Sequence, residues 1–259
     1  MFRNSKDRIP VLIILSLSVL DFYVYFTQES ILVLIAYWGV FLIPKANICA
    51  WNHHHQHNFV FRQKWLNRTL EFFYALHTGA VTNIWVLHHN LGHHRNFLDQ
   101  KIDESRWKYA NGKKIGELAY TFIIAATGYS RAFQVGAKHK TLKRRFVIFG
   151  GLTFLIVGAL VIYNPVAGLI LFVLPMICSL LFTAWTTYDH HAGLDSDNQF
   201  EASFNKLNWL YNMVTGNLGY HTAHHYKPGT HWSKLPELHE TIKDKIPAHL
   251  INNKVTLTH

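Results

Sequence analysis

The chain has 259 residues, of which 49% are hydrophobic, 15% aromatic and only 15% charged. A soluble domain carries about 25% charged residues, so the composition excludes disorder, collagen-like repeats and coiled coil, and leaves too few groups to keep a surface wet. The net charge of +10 would suit a nucleic-acid binder, but the apolar blocks are long enough to cross a bilayer, and a basic membrane protein explains the charge better; no nucleic-acid partner is expected. The two cysteines, Cys49 and Cys178, lie in apolar runs and read as small buried hydrophobes rather than a disulfide framework.

Four blocks qualify as membrane spans. They are residues 9–26 with one acid, Asp21; residues 31–50 with Pro44 and Lys45 in the last third; residues 146–163; and residues 165–185. Each approaches the roughly 20 residues needed to cross about 30 Å of hydrocarbon. The first has a basic start (Arg3, Lys6, Arg8) but no small-residue cleavage site, and a second span follows at once, so it reads as a span rather than a cleavable signal peptide.

Apart from Lys45, every Lys and Arg lies before the first span, between the second and third, or after the fourth; the connecting loops 27–30 and 164–165 hold none. The positive-inside rule then predicts two helical hairpins, with both termini and the long middle segment in the cytosol. Two weaker apolar stretches, 70–87 and 116–128, read as interfacial or re-entrant helices. No linker separates a second domain. The expected fold is an all-α integral membrane protein: one domain, residues 1–259, with about four transmembrane helices in two hairpins and a cytosolic helical cap.

Histidine is the unusual residue, 19 in all. His53, His54, His55 and His57 follow the second span; His88, His89, His93 and His94 share its cytosolic segment; His190 and His191 follow the fourth; His221, His224 and His225 come later. All fall on one side of the predicted membrane. His53 and His57 are i and i+4, so on a continued helix both face one way, and His54 and His55 point off that face. His89 and His93 repeat the spacing with His94 adjacent and His88 one position out of phase. His221, His224 and His225 are i, i+3 and i+4. Imidazole is a neutral ligand for first-row transition metals, and so many converging rings exceed the four that one zinc needs. Two metals are expected. His77, His139, His231, His239, His249 and His259 read as ordinary surface or core histidines.

Set in order, these segments resemble the membrane fatty-acid desaturase and hydroxylase superfamily, which includes the alkane monooxygenases. Its three histidine boxes are matched by His-His-His-Gln-His at 53–57, His-Asn-Leu-Gly-His-His at 89–94 and His-Thr-Ala-His-His at 221–225. The second box, with Gly92 before the paired histidines, is closer to the alkane-monooxygenase form. Asp189-His190-His191-Ala192-Gly193-Leu194 resembles the family's extra ligand site, and its Gly-Leu favours His191 over His190. The run 216–220 before the third box, and His231 and Leu235-Pro236 after it, look like desaturase C-terminal regions. The likeness covers roughly residues 31–240.

The resemblance implies a non-haem di-iron centre, two iron ions held by His53, His57, His89, His93, His94, His191, His221, His224 and His225. His190, His54, Asp189 and Asn217 are possible additional or supporting residues. It implies an oxidoreductase acting on a lipid acyl chain or alkane with O2. The chain carries no ferredoxin-type cysteine set and no haem-binding domain, so electrons are expected from a separate donor of the ferredoxin, rubredoxin or cytochrome b5 type. The leading reading is an acyl-lipid or fatty-acid desaturase. The alternative is an alkane or fatty-acid hydroxylase with the same centre. A metal transporter is disfavoured, because transporters place their ligands near the bilayer midplane.

Trp51, Trp85, Trp185 and Trp209 are candidates to line a substrate tunnel or to form an interfacial belt. Asp99, Asp103, Glu104, Asp189 and Asp195 are candidates to orient ligand imidazoles or to be solvated loop charges. The basic stretch 138–145 reads as a membrane-surface anchor ahead of the third span, with donor docking as the other possibility.

Overall fold

Segments that are apolar on every side become long helices, because a backbone in hydrocarbon must satisfy its own N–H and C=O groups. The computed structural model describes residues 1–254; His259 lies outside the described residues. In chain order the helices are α1 (Arg8–Thr27), α2 (Ile31–His57), α3 (Lys64–Thr78), α4 (Glu117–Val135), α5 (Lys140–Tyr163), α6 (Pro165–His191, with a π turn at Leu169–Val173), α7 (Trp209–Thr215), α8 (His221–Tyr226) and α9 (Leu235–Glu240). Helices α1, α2, α5 and α6 have the length and hydropathy to cross a membrane. The protein is an all-α integral membrane protein, its described strands being one two-residue parallel pair, Asn205–Lys206 with Ile251–Asn252. Three helices outrun the apolar blocks that announce them. α2 continues to His57, α5 begins at Lys140 and α6 runs to His191.

The chain forms two compact units, one of Met1–Ile84 with Lys138–Phe182, the other of Trp85–Ala137 with the residues from Thr183 onward. In the first unit Leu32, Leu155 and Ile162 are exposed, while Val24, Tyr25, Leu34, Leu171 and Phe172 pack inside. The turn into α6 is tight. Asn164 Oδ1 accepts from the Ala167 N–H at 3.2 Å, Pro165 opens the helix, and a Cβ on Gly168 would lie 2.7 Å from Val161 Cα, which only glycine avoids. The stretch 70–87 is not one helix. It is the second half of α3, a left-handed turn at Gly79 and the start of a π helix. α3 packs against α1, α2 and α5, with Leu70, Tyr74 and Leu76 buried.

Both charged residues of the first two spans, Asp21 and Lys45, find partners there. Asp21 Oδ1 accepts from Lys45 Nζ and from the Tyr37 hydroxyl, each at 2.6 Å, and Asp21 Oδ2 lies 3.4 Å from His77 Nδ1. His77 Nε2 shares a 2.8 Å hydrogen bond with Ser18. An unpaired charge at such depth is costly, so the pair explains why Lys45 can sit inside a span. His77 is thus a core histidine that ties α3 to α1.

In the second unit α4 packs Tyr120 and Ile124 against Ala184 and Tyr188 near the end of α6, with Trp107 and Ile115 completing the cluster. The stretch 116–128 falls within α4, which runs on to Val135. The short C-terminal helices surround Ala223, Ile242, Ile246 and Leu250.

Candidate metal centre

Each histidine box is presented by a different local device. The first lies on α2, which stays helical through His57, so His53 and His57 share a face and their Nε2 atoms are 3.0 Å apart. His55 points elsewhere, its Nε2 3.4 Å from Glu71 Oε1 and its ring against Tyr74. His54 lies near the Trp51 ring.

The second box is where the helical expectation fails in detail. Trp85–Leu91 is a π helix, and the N–H groups of both His93 and His94 donate to the His89 carbonyl, at 3.0 and 2.8 Å. The wider winding lets the i+5 residue come round as well as the i+4, a geometry frequent at functional sites. Gly92 makes room for it, because a Cβ there would collide with the His88 carbonyl and sit 2.6 Å from Glu104 Cγ. His88 belongs to neither group of converging ligands among the described residues. Burial, helped by the Arg131 guanidinium, pushes it down to about 4, so it is neutral.

Within the second unit the inward rings form two layers. In one, ligand atoms of His89, His94 and His224 lie within 4.8 Å of one another; His94 Nε2 is 2.9 Å from His224 Nε2, and the His89 and His224 rings are nearly parallel. In the other, His93, His191 and His225 converge. His191 Nε2 is 3.3 Å from His93 Nε2 and 3.0 Å from His221 Nε2, which is itself 3.2 Å from His225 Nε2. Phe97 closes this layer, its ring 4.4 Å from that of His225.

Hydrogen bonds at the far nitrogens orient the rings. His191 Nδ1 donates to the Ala202 carbonyl at 2.9 Å, and His93 Nδ1 to Asp103 Oδ1 at 2.8 Å, which turns each Nε2 inward. Asp103 is buried and also accepts from the Ser105 N–H. Burial, then the neighbouring imidazoles, hold His221 and His225 well below the ordinary histidine value, so both stay neutral. Neutral imidazoles aiming lone pairs at one another repel without a cation among them. Nitrogens about 2.1 Å from one ion stand about 3.0 Å apart at right angles and about 3.4 Å apart in a tetrahedron, and the observed separations of 2.9–3.3 Å match that range. The residues present fit a transition-metal ion.

The supporting residues fall differently. His190 engages both nitrogens, Nδ1 with the Phe204 carbonyl at 3.1 Å and Nε2 with the Tyr211 hydroxyl at 3.0 Å, and its ring stacks 4.0 Å from that of His221. Asp189 pairs with buried Lys206. Asn217 adopts a left-handed φ of 62° and donates from Nδ2 to the Trp232 carbonyl at 3.2 Å. Of the other acids, Asp99 caps the Lys101 N–H, Glu104 faces Arg131 and Asp195 pairs with Lys108. Only Asp103 orients a ring of these layers, among the contacts described. Among the tryptophans, Trp85 sets its ring edge-on to His89 at 5.5 Å, while Trp185 donates to Glu117 and Trp209 is exposed. Sequence reasoning missed Tyr211, Phe97 and the carbonyls of Ala202 and Phe204; nothing in their local sequence marks them.

No curated protein and no solved structure matches the chain. The family model described as fatty acid desaturase matches residues 30–253, which takes in α2 through the final short strand and every histidine of both layers. With that span of the chain matched, and with apolar helices and clustered histidines both in place, the protein belongs to the fatty acid desaturase family.

Proposed function

We propose that this membrane oxidoreductase is an acyl-lipid or fatty-acid desaturase with two iron ions, held by His53, His57, His89, His93, His94, His191, His221, His224 and His225. The observation that carries the reading is the convergence of ring nitrogens from His93, His191 and His225, with His221 beside them, in a member of this family. Bound iron would supply reductive activation of O2 to an oxidant able to take hydrogen from an unactivated C–H bond. The overall change is –CH2–CH2– + O2 + 2e− + 2H+ → –CH=CH– + 2H2O. The chain's own part is to keep His191, His221 and His225 neutral by burial, to aim His191 and His93 through the Ala202 carbonyl and Asp103, and to exclude water behind Phe97.

Electrons would come from a separate ferredoxin, rubredoxin or cytochrome b5 type carrier, and residues 1–259 would act as one membrane-embedded domain with its histidines on the cytosolic side. The segregation of Lys and Arg supports that orientation. Labelling from outside at cysteines placed in 27–30, and not in 101–114, is the result expected of it. A second reading, hydroxylation of an alkane or fatty acid by the same centre, is favoured by Gly92 in the second box. Mass spectrometry of lipids from cells expressing the protein decides. Products two hydrogens lighter support desaturation, one added oxygen supports hydroxylation, and purified protein without iron overturns both.

A further inference from the structure

The rings of the layer formed by His93, His191, His221 and His225 are not held alike. His93 and His191 are each fixed at the far nitrogen by a hydrogen bond, to Asp103 and to the Ala202 carbonyl. The Nδ1 atoms of His221 and His225 are buried without a hydrogen-bond partner among the described residues. The torsion that turns an imidazole about its Cβ–Cγ bond has broad wells, so a ring held only through its inward nitrogen is free to swing. Neighbouring rings set the planes of these two instead. For His225 they are Phe97 and His94, with centroids 4.4 and 4.2 Å away. For His221 it is His190, which lies face to face with it at 4.0 Å with only 9° between the planes. A swing of His221 would drive its edge into that face.

A stacked ring restrains its neighbour only if it is itself fixed, and His190 is held at both nitrogens. Nδ1 donates to the Phe204 carbonyl at 3.1 Å, and Nε2 shares a 3.0 Å hydrogen bond with the Tyr211 hydroxyl. Tyr211 is anchored in turn. Its N–H donates to Asn208 Oδ1 at 2.9 Å at the start of α7, and Lys206 Nζ lies over its ring, 5.3 Å from the centroid. Lys206 is buried and paired with Asp189, so moving the cation off the ring would strand a buried charge. All of these residues belong to the second unit.

We propose that Tyr211 is a positioning residue for the metal centre: its hydroxyl holds the His190 ring, and that ring sets the plane of His221 by stacking, where a hydrogen bond sets those of His93 and His191. The proposal rests on His221 being a metal ligand. An aromatic contact contributes about two- to tenfold in an equilibrium constant, less than the roughly 10–100-fold of a hydrogen-bonded partner. The expected effect is therefore small, confined to one ring and too weak to empty the site on purification.

The test titrates the full-length apoprotein with Co2+ alone and follows the visible absorption bands of the bound ion. Tyr211→Phe keeps the ring beneath Lys206 and removes only the hydroxyl. It should weaken Co2+ binding about two- to tenfold and shift the bands. His190→Ala should weaken binding by at least as much, and adding Tyr211→Phe to it should change nothing further, because Tyr211 acts through that ring. His190→Phe, which gives up both hydrogen bonds, takes its place in this cycle should His190→Ala fail to fold. His221→Ala should weaken binding more than either. Should His221→Ala bind Co2+ as wild type does, His221 is no ligand, and both the ligand set and the proposal fall. Should His221→Ala weaken binding while Tyr211→Phe keeps wild-type affinity and bands, the proposal alone is overturned. Additive losses in the double variant overturn it too, since they would make Tyr211 a packing residue that acts independently of His190.

Discussion

Asp103 is the residue on which the histidine layers lean most directly, and removing its charge tests the layers without touching a ligand. Asp103 Oδ1 accepts from His93 Nδ1 and from the Ser105 N–H, each at 2.8 Å, in a buried position. Because one oxygen takes both bonds, Asp103→Asn can keep the same acceptor in place and lose only the negative charge. A carboxylate behind a ligand imidazole raises its basicity, and its loss costs about 10–100-fold in metal affinity, or about 1.4–2.7 kcal/mol. Asp103→Ala removes the acceptor as well, freeing the His93 ring and stranding the Ser105 N–H at a further cost of about 1–3 kcal/mol. Titration of the apoprotein with Co2+, followed by visible absorption, should therefore rank wild type above Asn and Asn above Ala. Asp99→Asn, on an exposed turn, should behave as wild type. Equal affinities for wild type and Asp103→Ala would refute the orientation argument and remove His93 from the ligand set.

His191→Ala should lower the metal content of purified protein, while His190→Ala should keep it, because both nitrogens of His190 are already engaged; elemental analysis giving the opposite order would reverse the assignment. Asp21→Asn or Lys45→Met alone should destabilise the detergent-solubilised protein by about 3–5 kcal/mol, and the double variant by much less, since the cost lies in stranding one charge; a denaturant melt with additive losses would contradict this. At Glu71 burial pushes the carboxyl up, but His55, Arg68 and Thr82 outweigh it and the net shift is below the ordinary 4.5. Its folded-state value is depressed, so its contribution is complete above 4.5 and drains away as pH falls through the lower folded value. Glu71→Gln should flatten that acid limb of a stability–pH curve, and an unchanged limb would assign it to other groups.

What the sequence determined by itself are the properties that repeat locally or depend on composition. Spans show as unbroken apolar runs, because lipid demands about the same length and polarity from every crossing helix, and the i, i+4 pairing of His53 with His57 follows from helix pitch alone. The histidine motifs sufficed to point to the family, because their spacing is local even though the boxes are far apart. Tertiary structure decided what depends on a partner distant in the chain. The π winding of the second box is a case, as Gly92 yields to Glu104 and lets His94 as well as His93 bond to the His89 carbonyl. The sorting of five candidate acids is another, since Asp103 and Asp189 look alike until His93 and Lys206 arrive beside them. The two neighbours His190 and His191 differ in what they touch: Tyr211 and the Phe204 carbonyl take both nitrogens of His190, whereas the Ala202 carbonyl takes only Nδ1 of His191. A hydrogen bond across tens of residues leaves no periodic trace in the sequence, because any residue with the right donor at the right place serves equally well.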